Sequence, residues 1–388
     1  MDLAQELVDY IIDLIHDDPA TLLQVSLVSK AWVYRTRAYL CKSLKITHSK
    51  LISSDPSYLG PLGRYIKTLQ LEWPGGTTDP SVILDCFKQS EPHALAIHSC
   101  ELRGLDEQTI RRYFAKFPCT SITALELHGI SANHGAVVIL LSLFPNIDDL
   151  TISVAEWDDG SGPVGSEVIQ RNSTPRLRGS LKCLDPPGRR PWSYRRGNIL
   201  YVIAALPLQF QTVSVDYAEQ SREVSTFLRS CSKTVRKVFI GRPHRMSRPH
   251  APSTVLLAQC EKCIEKPHVY WPDLSCDFAN LEELRIGIRA DDIGHPQSPP
   301  HPALRLFTSR RLQRVIIEVG KKGTNSVRWP SLDESLVNLV GRHKTHGIVE
   351  LHISTTVDPE VVFGLLPRVA QEGVLRVGVT ERPDYCAP

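Results

Sequence analysis

The opening of the chain carries apolar residues at helical spacing. Leu7, Ile11, Leu14 and Ile15 recur at intervals of one, three or four residues, so they share one face of a helix that ends near His16. Val8 and Ile12 widen this face. The pattern therefore predicts a first helix whose apolar surface is unusually broad for its length.

Two further helices are predicted within the same stretch. Asp18 followed by Pro19 is a typical N-cap and first-turn pair, which indicates that a second helix begins there. A third helical segment carries Trp32, Tyr34 and Leu40. Three short helices in about 40 residues lie at the size at which a chain seldom folds without outside support.

These helices hold more apolar residues than one small core can absorb. Part of their surface is expected to dock against another protein, or else to pack against the rest of this chain. The pattern leaves both alternatives open. Trp32 is accordingly either an anchor at a partner surface or a core residue that holds the third helix.

The same stretch resembles an F-box, in particular its fungal form. The residues that carry the resemblance are Leu3, Glu6, Leu7, Ile11, Asp18, Pro19, Leu22 and the run SLVSKAW from Ser26 to Trp32. The resemblance covers about residues 3–44. It implies docking to a Skp-family adaptor of an SCF ubiquitin ligase and, through the adaptor, to a cullin.

The resemblance also implies which residues contact the adaptor. They are Leu3, Glu6, Leu7, Ile11, Ile15, Leu22, Leu27, Val28 and Trp32. The chain departs from the family at one position, since the family usually begins Leu-Pro and this sequence has Leu3-Ala4. Alanine favours a helix start but lacks the fixed φ angle of proline, a difference that bears on adaptor affinity.

After Leu44 a short apolar pattern recurs along the chain. An apolar residue is followed by two others, a second apolar residue, one other and a third apolar residue. Clear copies are Ile66-Leu69-Leu71, Ile122-Leu125-Leu127, Ile147-Leu150-Ile152, Phe210-Val213-Val215, Val235-Val238-Ile240, Leu281-Leu284-Ile286, Leu312-Val315-Ile317, Ile348-Leu351-Ile353 and Val374-Val377-Val379. Weaker copies centre on Leu95-Ile97 and Leu181-Leu184.

Most gaps between copies hold one amphipathic helical segment. These segments are Asp106 to Phe117, Ala132 to Phe144, Asn198 to Leu206, Ser221 to Cys231, Leu332 to Arg342 and Pro359 to Ala370. A short strand followed by a helix, repeated at this length, is typical of a leucine-rich-repeat solenoid. A doubly wound α/β domain is the alternative, but no glycine-rich phosphate loop follows any predicted strand.

The predicted fold class is therefore α/β, with a short three-helix F-box at residues 1–46 and an irregular leucine-rich-repeat-like solenoid at residues 47–388. The line F-x-N-L-E-x-L-x-I, from Phe278 to Ile286, resembles fungal F-box proteins with such repeats. The repeats are degenerate, because they lack the asparagine that regular leucine-rich repeats place after the strand.

Four stretches interrupt the repeat rhythm, at residues 157–179, 185–197, 241–252 and 289–302. They are rich in glycine, proline or arginine and are predicted to be loops. Loops of a solenoid often gather on one side and form a binding surface. The candidate target-binding residues are Arg189, Arg190, Arg195, Arg196, Arg242, Arg245 and Arg248.

Composition narrows the choice of partner and compartment. The net charge of +3 over 388 residues is a weak basic excess, so nucleic acid is not the expected partner. No secretory leader pattern precedes the first helix, so we expect an intracellular protein, cytoplasmic or nuclear, whose ten cysteines are reduced. The longest apolar run, residues 137–144, is too short to cross a membrane.

Catalytic and metal-binding patterns are weak. Cys260 and Cys263, with His268 and Cys276 downstream, have the residue types of a zinc site, but Cys260 also fits the apolar face of a helix. His343 and His346 are better explained by a helix C-terminus, which favours positive charge. No nucleophile, phosphate-binding loop or metalloprotease motif is present in the sequence.

The sequence thus predicts a binding protein without a cofactor rather than an enzyme. The first hypothesis is a substrate-recognition subunit of an SCF-type ubiquitin ligase, which holds an unknown target protein through its repeats. The alternative is a non-catalytic repeat scaffold unrelated to ubiquitin, in which the apolar face of the first helices packs internally.

Overall fold

Strands and helices alternate along much of the described chain in the computed structural model. The structure describes residues 4–47, 59–73, 79–157, 177–184, 198–216, 221–241, 278–288, 309, 311–319, 329–343, 350–355 and 358–379. The chain divides into two compact units, Met1–Leu177 and Arg178–Pro388. The first helices and the first repeats belong to the same unit. The predicted boundary between residues 46 and 47 stays a prediction.

Three helices form the N-terminal segment, as the apolar spacing predicts. They are α1 (Gln5–Leu14), α2 (Pro19–Val25) and α3 (Lys30–Leu40). The Asp18 carboxylate accepts hydrogen bonds from the backbone N–H groups of Ala20 and Thr21, so it caps α2 as expected. Helix α1 begins after Ala4, which offers no side-chain cap.

The first unit then adds five strands. They are β1 (Ser43–Ile46), β2 (Thr68–Glu72), β3 (Ala94–His98), β4 (Ala124–Ala132) and β5 (Asp149–Trp157). The intervening helices are α4 (Leu59–Gly63), α5 (Ser81–Leu84), α6 (Glu107–Tyr113) and α7 (His134–Ser142). Asp106 and Asn133 cap α6 and α7 by accepting backbone hydrogen bonds, which explains where these two helices begin.

All strand pairs of this unit are parallel and follow chain order. The register aligns equivalent apolar residues in two ladders. One ladder is Leu44, Leu69, Leu95, Leu125 and Leu150, and the other is Ile46, Leu71, Ile97, Leu127 and Ile152. In β2 to β5 each of these side chains is at most 2% exposed, so each repeat completes the core of its neighbour.

The second unit repeats this organisation. Its strands are β6 (Leu177–Leu184, which begins at the unit boundary), β7 (Leu208–Asp216), β8 (Lys237–Gly241), β9 (Glu283–Ile288), β10 (Arg314–Val319), β11 (Glu350–Thr355) and β12 (Leu375–Val379). Its helices are α8 (Asn198–Ala204), α9 (Ser221–Cys231), α10 (Trp329–His343), α11 (Pro359–Leu365) and α12 (Pro367–Gln371). Strands β7 to β12 pair in parallel with their sequence neighbours.

One predicted register is wrong. The pattern Val374-Val377-Val379 places Val377 at the position of Leu351, but the structure pairs Leu351 with Leu375 and Ile353 with Val377. The strand therefore lies two residues earlier in the repeat than the apolar spacing indicates. Leu375, Val377 and Val379 alternate along this strand, so its last two apolar positions fit either alignment.

Polar side chains tie neighbouring repeats together just before their strands. The side-chain amide of Asn146 donates to the backbone carbonyl of Thr120 over 3.0 Å, and that of Asn280 donates to the carbonyl of Lys233 over 2.7 Å. The Ser121 hydroxyl donates to the carbonyl of Pro92 over 2.7 Å. The repeats thus place asparagine before the strand, where it satisfies a turn carbonyl of the preceding repeat.

The predicted fold class is confirmed. Three N-terminal helices precede a series of parallel strands that alternate with helices, an architecture consistent with a leucine-rich-repeat-like solenoid. Two details differ from the prediction. Strand β1 was not foreseen, and the helix predicted from Pro359 to Ala370 is two helices, because Leu366 leaves the helical conformation before Pro367.

A buried carboxylate joins two helices of the second unit. Asp333 in α10 is 2% exposed, and its oxygens accept hydrogen bonds from the backbone N–H groups of Arg368 at 3.2 Å and Val369 at 2.9 Å. These groups lie in the first turn of α12, which has no side-chain cap of its own. Asp333 therefore performs the capping role from a neighbouring helix.

We expect Asp333→Ala to lower the free energy of unfolding of the second unit by about 2 kcal/mol, because two backbone N–H groups lose their acceptor in a buried place. Urea unfolding followed by far-UV circular dichroism measures the change. Glu334→Ala is the matched control, since Glu334 is exposed on the next position of the same helix. Equal midpoints for the two variants would show that the Asp333 contacts contribute nothing to stability.

Candidate protein-docking surface

The three N-terminal helices share a very small core. Its fully buried members are Val8, Ile12 and Leu22, each at most 1% exposed. Around them pack the partly buried side chains of Ile15, Val25, Trp32, Tyr39 and Leu40. Helix α1 thus contributes an inner stripe, with Val8, Ile12 and Ile15 at helical spacing, while α2 and α3 close the cluster.

A polar contact fixes α1 against α3. The Asp13 carboxylate accepts two hydrogen bonds from the Arg35 guanidinium, over 2.8 Å from Nε and 2.7 Å from Nη2. The Tyr39 hydroxyl donates to the same carboxylate over 2.8 Å, and the Arg35 guanidinium lies over the Tyr39 ring. The hydrogen bonds from Arg35 and then Tyr39 hold the pKa of Asp13 below its usual value.

Most of the exposed large apolar side chains of the described residues lie in this segment. Eight of the ten such residues precede residue 35, and the other two are Val82 and Val361. The eight are Leu7, Tyr10, Ile11, Leu14, Leu23, Leu27, Val28 and Tyr34. Leu27 is 86% exposed and Val28 and Leu14 are each 67% exposed, which is far more than a stable monomer needs to leave in water.

Helix α1 carries two apolar stripes side by side. Leu7, Tyr10, Ile11 and Leu14 form an outer stripe next to the inner stripe described above. At about 100° of rotation per residue, the two stripes together span about 200° of the helix circumference. Its polar side carries Asp13, which faces α3. We call the outer stripe of α1 together with Leu23, Leu27 and Val28 the apolar docking face.

The residues predicted to bind an adaptor occupy three different environments. Glu6, Leu7, Ile11, Leu27 and Val28 are exposed. Ile15 and Trp32 are half-buried against the inner cluster, and Leu22 is buried inside it, so in this conformation Leu22 supports the surface from beneath rather than forming part of it. Leu3 lies outside the described residues. Adaptor contact by these residues stays a prediction.

Three exposed apolar residues belong to the same face but were not among the predicted contacts. Tyr10 and Leu14 lie three and seven positions after Leu7, so helical spacing alone identifies them. Leu23 follows the buried Leu22 directly, and no spacing rule separates the exposed member of such a pair from the buried one.

A short connection and a cluster of aromatic contacts join the three N-terminal helices to the first repeats. Helix α3 ends at Leu40 and strand β1 begins at Ser43. The exposed Tyr34 ring meets the buried Tyr65 ring edge to face, with centroids 5.5 Å apart. The Arg64 guanidinium lies over both rings, 5.9 Å from the Tyr34 centroid and 4.8 Å from that of Tyr65.

The solvent-facing side of the first unit's sheet is polar. Lys45 pairs with Glu72 at 2.7 Å, and the neighbouring imidazoles of His98 and His128 stack with centroids 4.8 Å apart. The contact from Lys45 lowers the pKa of Glu72. Burial first, and then the charges of His128 and Lys45, lower the pKa of His98. The strands thus place both charged and hydrogen-bonding groups on this side of the sheet.

Other candidate chemistry is either absent from the described residues or lies outside them. The seven target-binding arginines and the set Cys260, Cys263, His268 and Cys276 lie outside, as does His346. Within the described part of the chain, no group of three or more histidine, cysteine, aspartate or glutamate side chains is arranged to hold a metal ion. His343 is the last residue of α10, the helix C-terminus to which the sequence assigned it.

Burial favours the protonated form of three of the described thiols. Burial raises the pKa of Cys119 to about 12 and that of Cys100 well above its ordinary value. Burial also raises the pKa of Cys41. A thiol in this state is a weak nucleophile at neutral pH.

The comparisons with known proteins leave the family open. No protein-family model matches the sequence, and a search of curated proteins finds no significant match. Among the helices that the structure describes, none combines the length and apolar character needed to span a membrane.

Protonation of Asp13 should loosen α1 from α3. Its pKa is lower in the folded chain than the ordinary value of 3.8, so its stabilising contribution is present above that value and is lost as the pH falls below it through the folded pKa. We therefore expect Asp13→Asn to speed hydrogen exchange of the α1 and α3 amides at neutral pH. The difference from the wild type should shrink below about pH 4.

Hydrogen exchange measured at matched pH for wild type and variant checks this expectation. Asp148→Asn is the control, because it makes the same charge change at an exposed position in the repeats. A difference between wild type and Asp13→Asn that stays constant down to about pH 3 would contradict the assigned role of the carboxylate.

Proposed function

We propose that this protein is the substrate-recognition subunit of an SCF-type ubiquitin ligase. Its three N-terminal helices act as an F-box that binds a Skp-family adaptor, and its leucine-rich-repeat-like region holds a target protein. The adaptor links the chain to a cullin. The observation that carries the proposal is the concentration of exposed apolar side chains on these helices, together with the F-box resemblance of the same residues.

The arrangement of α1 supports docking over internal packing. Its inner stripe already fills the available core, while Leu7, Ile11 and Leu14 remain 53%, 37% and 67% exposed. An unpartnered apolar surface of this kind marks a protein-binding site. Trp32, half-buried against the cluster, holds the helices in place and offers the rest of its ring at the edge of the surface.

The ligase contributes by position rather than by acid or base chemistry. By holding a target near a ubiquitin-carrying enzyme, the receptor raises the local concentration of target lysines. The arginines of the interrupting stretches, Arg189, Arg190, Arg195, Arg196, Arg242, Arg245 and Arg248, remain the proposed target contacts. They suit an acidic or phosphorylated segment of the target.

The decisive test separates docking from folding. Leu27→Ser and Val28→Ser remove apolar surface that is already in water, so each should change the free energy of unfolding by less than about 0.5 kcal/mol. Each should weaken binding of a recombinant Skp-family adaptor by about tenfold, since burying a leucine or valine side chain at an interface contributes about 1.5 kcal/mol or more. Isothermal titration calorimetry measures the affinity.

Val82→Ser and Val361→Ser are the matched controls. Both valines are more than half exposed, but they lie in the repeats rather than on the apolar docking face. These variants should bind the adaptor like the wild type. If the full-length chain is monodisperse alone and shows no adaptor affinity, it is the repeat scaffold unrelated to ubiquitin instead.

A further inference from the structure

Charge is strongly segregated at the start of the chain. Residues 1–18 contain six acidic residues and no lysine or arginine, whereas residues 19–71 contain eight lysines or arginines and one acidic residue, Asp55. This contrast is much stronger than the net charge of +3 for the whole protein indicates. The sequence thus separates acidic from basic residues locally in a way that the overall composition hides.

Part of this charge is gathered on one side of α3. Lys30, Tyr34 and Arg37 lie at i, i+4 and i+7 and are all exposed. Arg64, also exposed, extends the side beyond the helix because its guanidinium lies over the Tyr34 ring. We call these four residues the basic face of α3.

The charges of this face are not neutralised by the rest of the described chain. Arg35 forms an ion pair with Asp13, and Lys45 forms one with Glu72, so these two cations are already paired within the chain. Among the described residues, Lys30, Arg37 and Arg64 take part in no ion pair. The Arg64 guanidinium donates a hydrogen bond to the Tyr65 hydroxyl over 2.8 Å, but like Lys30 and Arg37 it is exposed and pairs with no described carboxylate.

The basic face continues directly from the apolar docking face. Every residue from Leu27 to Ala31 is exposed, so Leu27 and Val28 lead into Lys30 without a buried residue between them. Protein interfaces commonly have an apolar centre and a charged rim. The two faces together therefore have the composition of a single interface with a basic margin.

The neighbouring helix favours a protein partner over nucleic acid. The Gln5 side chain reaches the Ala31 carbonyl at 3.5 Å, so the start of α1, with Glu6 and Asp9 on it, lies beside the start of α3. A nucleic acid carries a phosphate on every nucleotide of its backbone and would meet these acids as well as the cations. A protein with a localised acidic patch avoids this repulsion.

We propose that the basic face of α3 docks an acidic patch on the Skp-family adaptor and steers its association with the apolar docking face. This inference rests on the proposed function, because it names the chemistry that the adaptor must present beside its apolar groove. Lys30, Arg37 and Arg64 supply long-range attraction, and the Tyr34 ring offers an aromatic surface against which adaptor side chains pack. Steering of this kind acts on the association rate more than on the dissociation rate.

Stopped-flow association of the full-length chain with the recombinant adaptor tests the proposal. The variant Lys30→Glu/Arg37→Gln should bind about tenfold more slowly than the wild type at about 20 mM salt, while its dissociation rate changes by less than about twofold. At about 500 mM salt the two association rates should converge, because the charges are then screened within a few ångströms. Lys88→Glu/Lys182→Gln is the control with the same change in net charge at exposed sites of the repeats, and it should associate like the wild type.

The outcomes separate this inference from the function on which it rests. An adaptor that binds with equal rates to the wild type and to Lys30→Glu/Arg37→Gln at low salt overturns the basic face and leaves the ligase function intact. A chain with no adaptor affinity at any salt overturns both. Tight binding of a single-stranded RNA oligonucleotide that the double variant abolishes, with adaptor kinetics unchanged, assigns the face to nucleic acid and also overturns the proposal.

Discussion

A segment of about forty residues has too little interior to enclose all the apolar side chains that its helices carry. In this protein the inner cluster is complete with three fully buried residues, Val8, Ile12 and Leu22, and a ring of half-buried ones. Every further apolar residue must then face outward. The exposed stripe of α1 and the exposed turn at Leu27 and Val28 follow from this limit.

The segment remains an ordered platform because its polar groups work together with its small core. Asp13 receives Arg35 and Tyr39 from α3, and Asp18 caps α2. Tyr34 and Arg64 connect α3 to the first repeats. Only Cys41 and Lys42 separate α3 from the first strand, so the three helices are joined to the parallel sheet by a very short connection.

The spacing of apolar residues was sufficient to predict eleven of the twelve strands that the structure describes, because each unit of a parallel stack must bury the same positions. The first strand was not predicted, although Cys41, Leu44 and Ile46 follow the same pattern, because these residues come directly after a predicted helix. In the last strand Leu375, Val377 and Val379 alternate, so two registers fit the spacing, and the pairing of Leu375 with Leu351 distinguishes them. Local patterns identify repeats well and their exact alignment less well.

The docking surface was harder to predict for a different reason. A broad apolar arc such as that of α1 is wider than one small core can cover, but it does not show which side faces the core. Leu22 and Leu23 are adjacent and chemically identical, yet one is 1% and the other 58% exposed. Tertiary packing makes that choice, and the charged side of α3 likewise emerges only when Arg35 and Lys45 are seen to be occupied by carboxylates.

The hydrogen bonds that Asn146 and Asn280 donate to the preceding turn connect one repeat to the next without depending on the chain between them. Leu125 and Leu150 are 25 residues apart, while Val238 and Leu284 are 46 apart, yet both pairs lie side by side in register. Length added between strands is therefore absorbed without a change in the stack. Insertions between strands are therefore expected to be tolerated, because the paired ladder does not depend on the length of the chain that connects its strands.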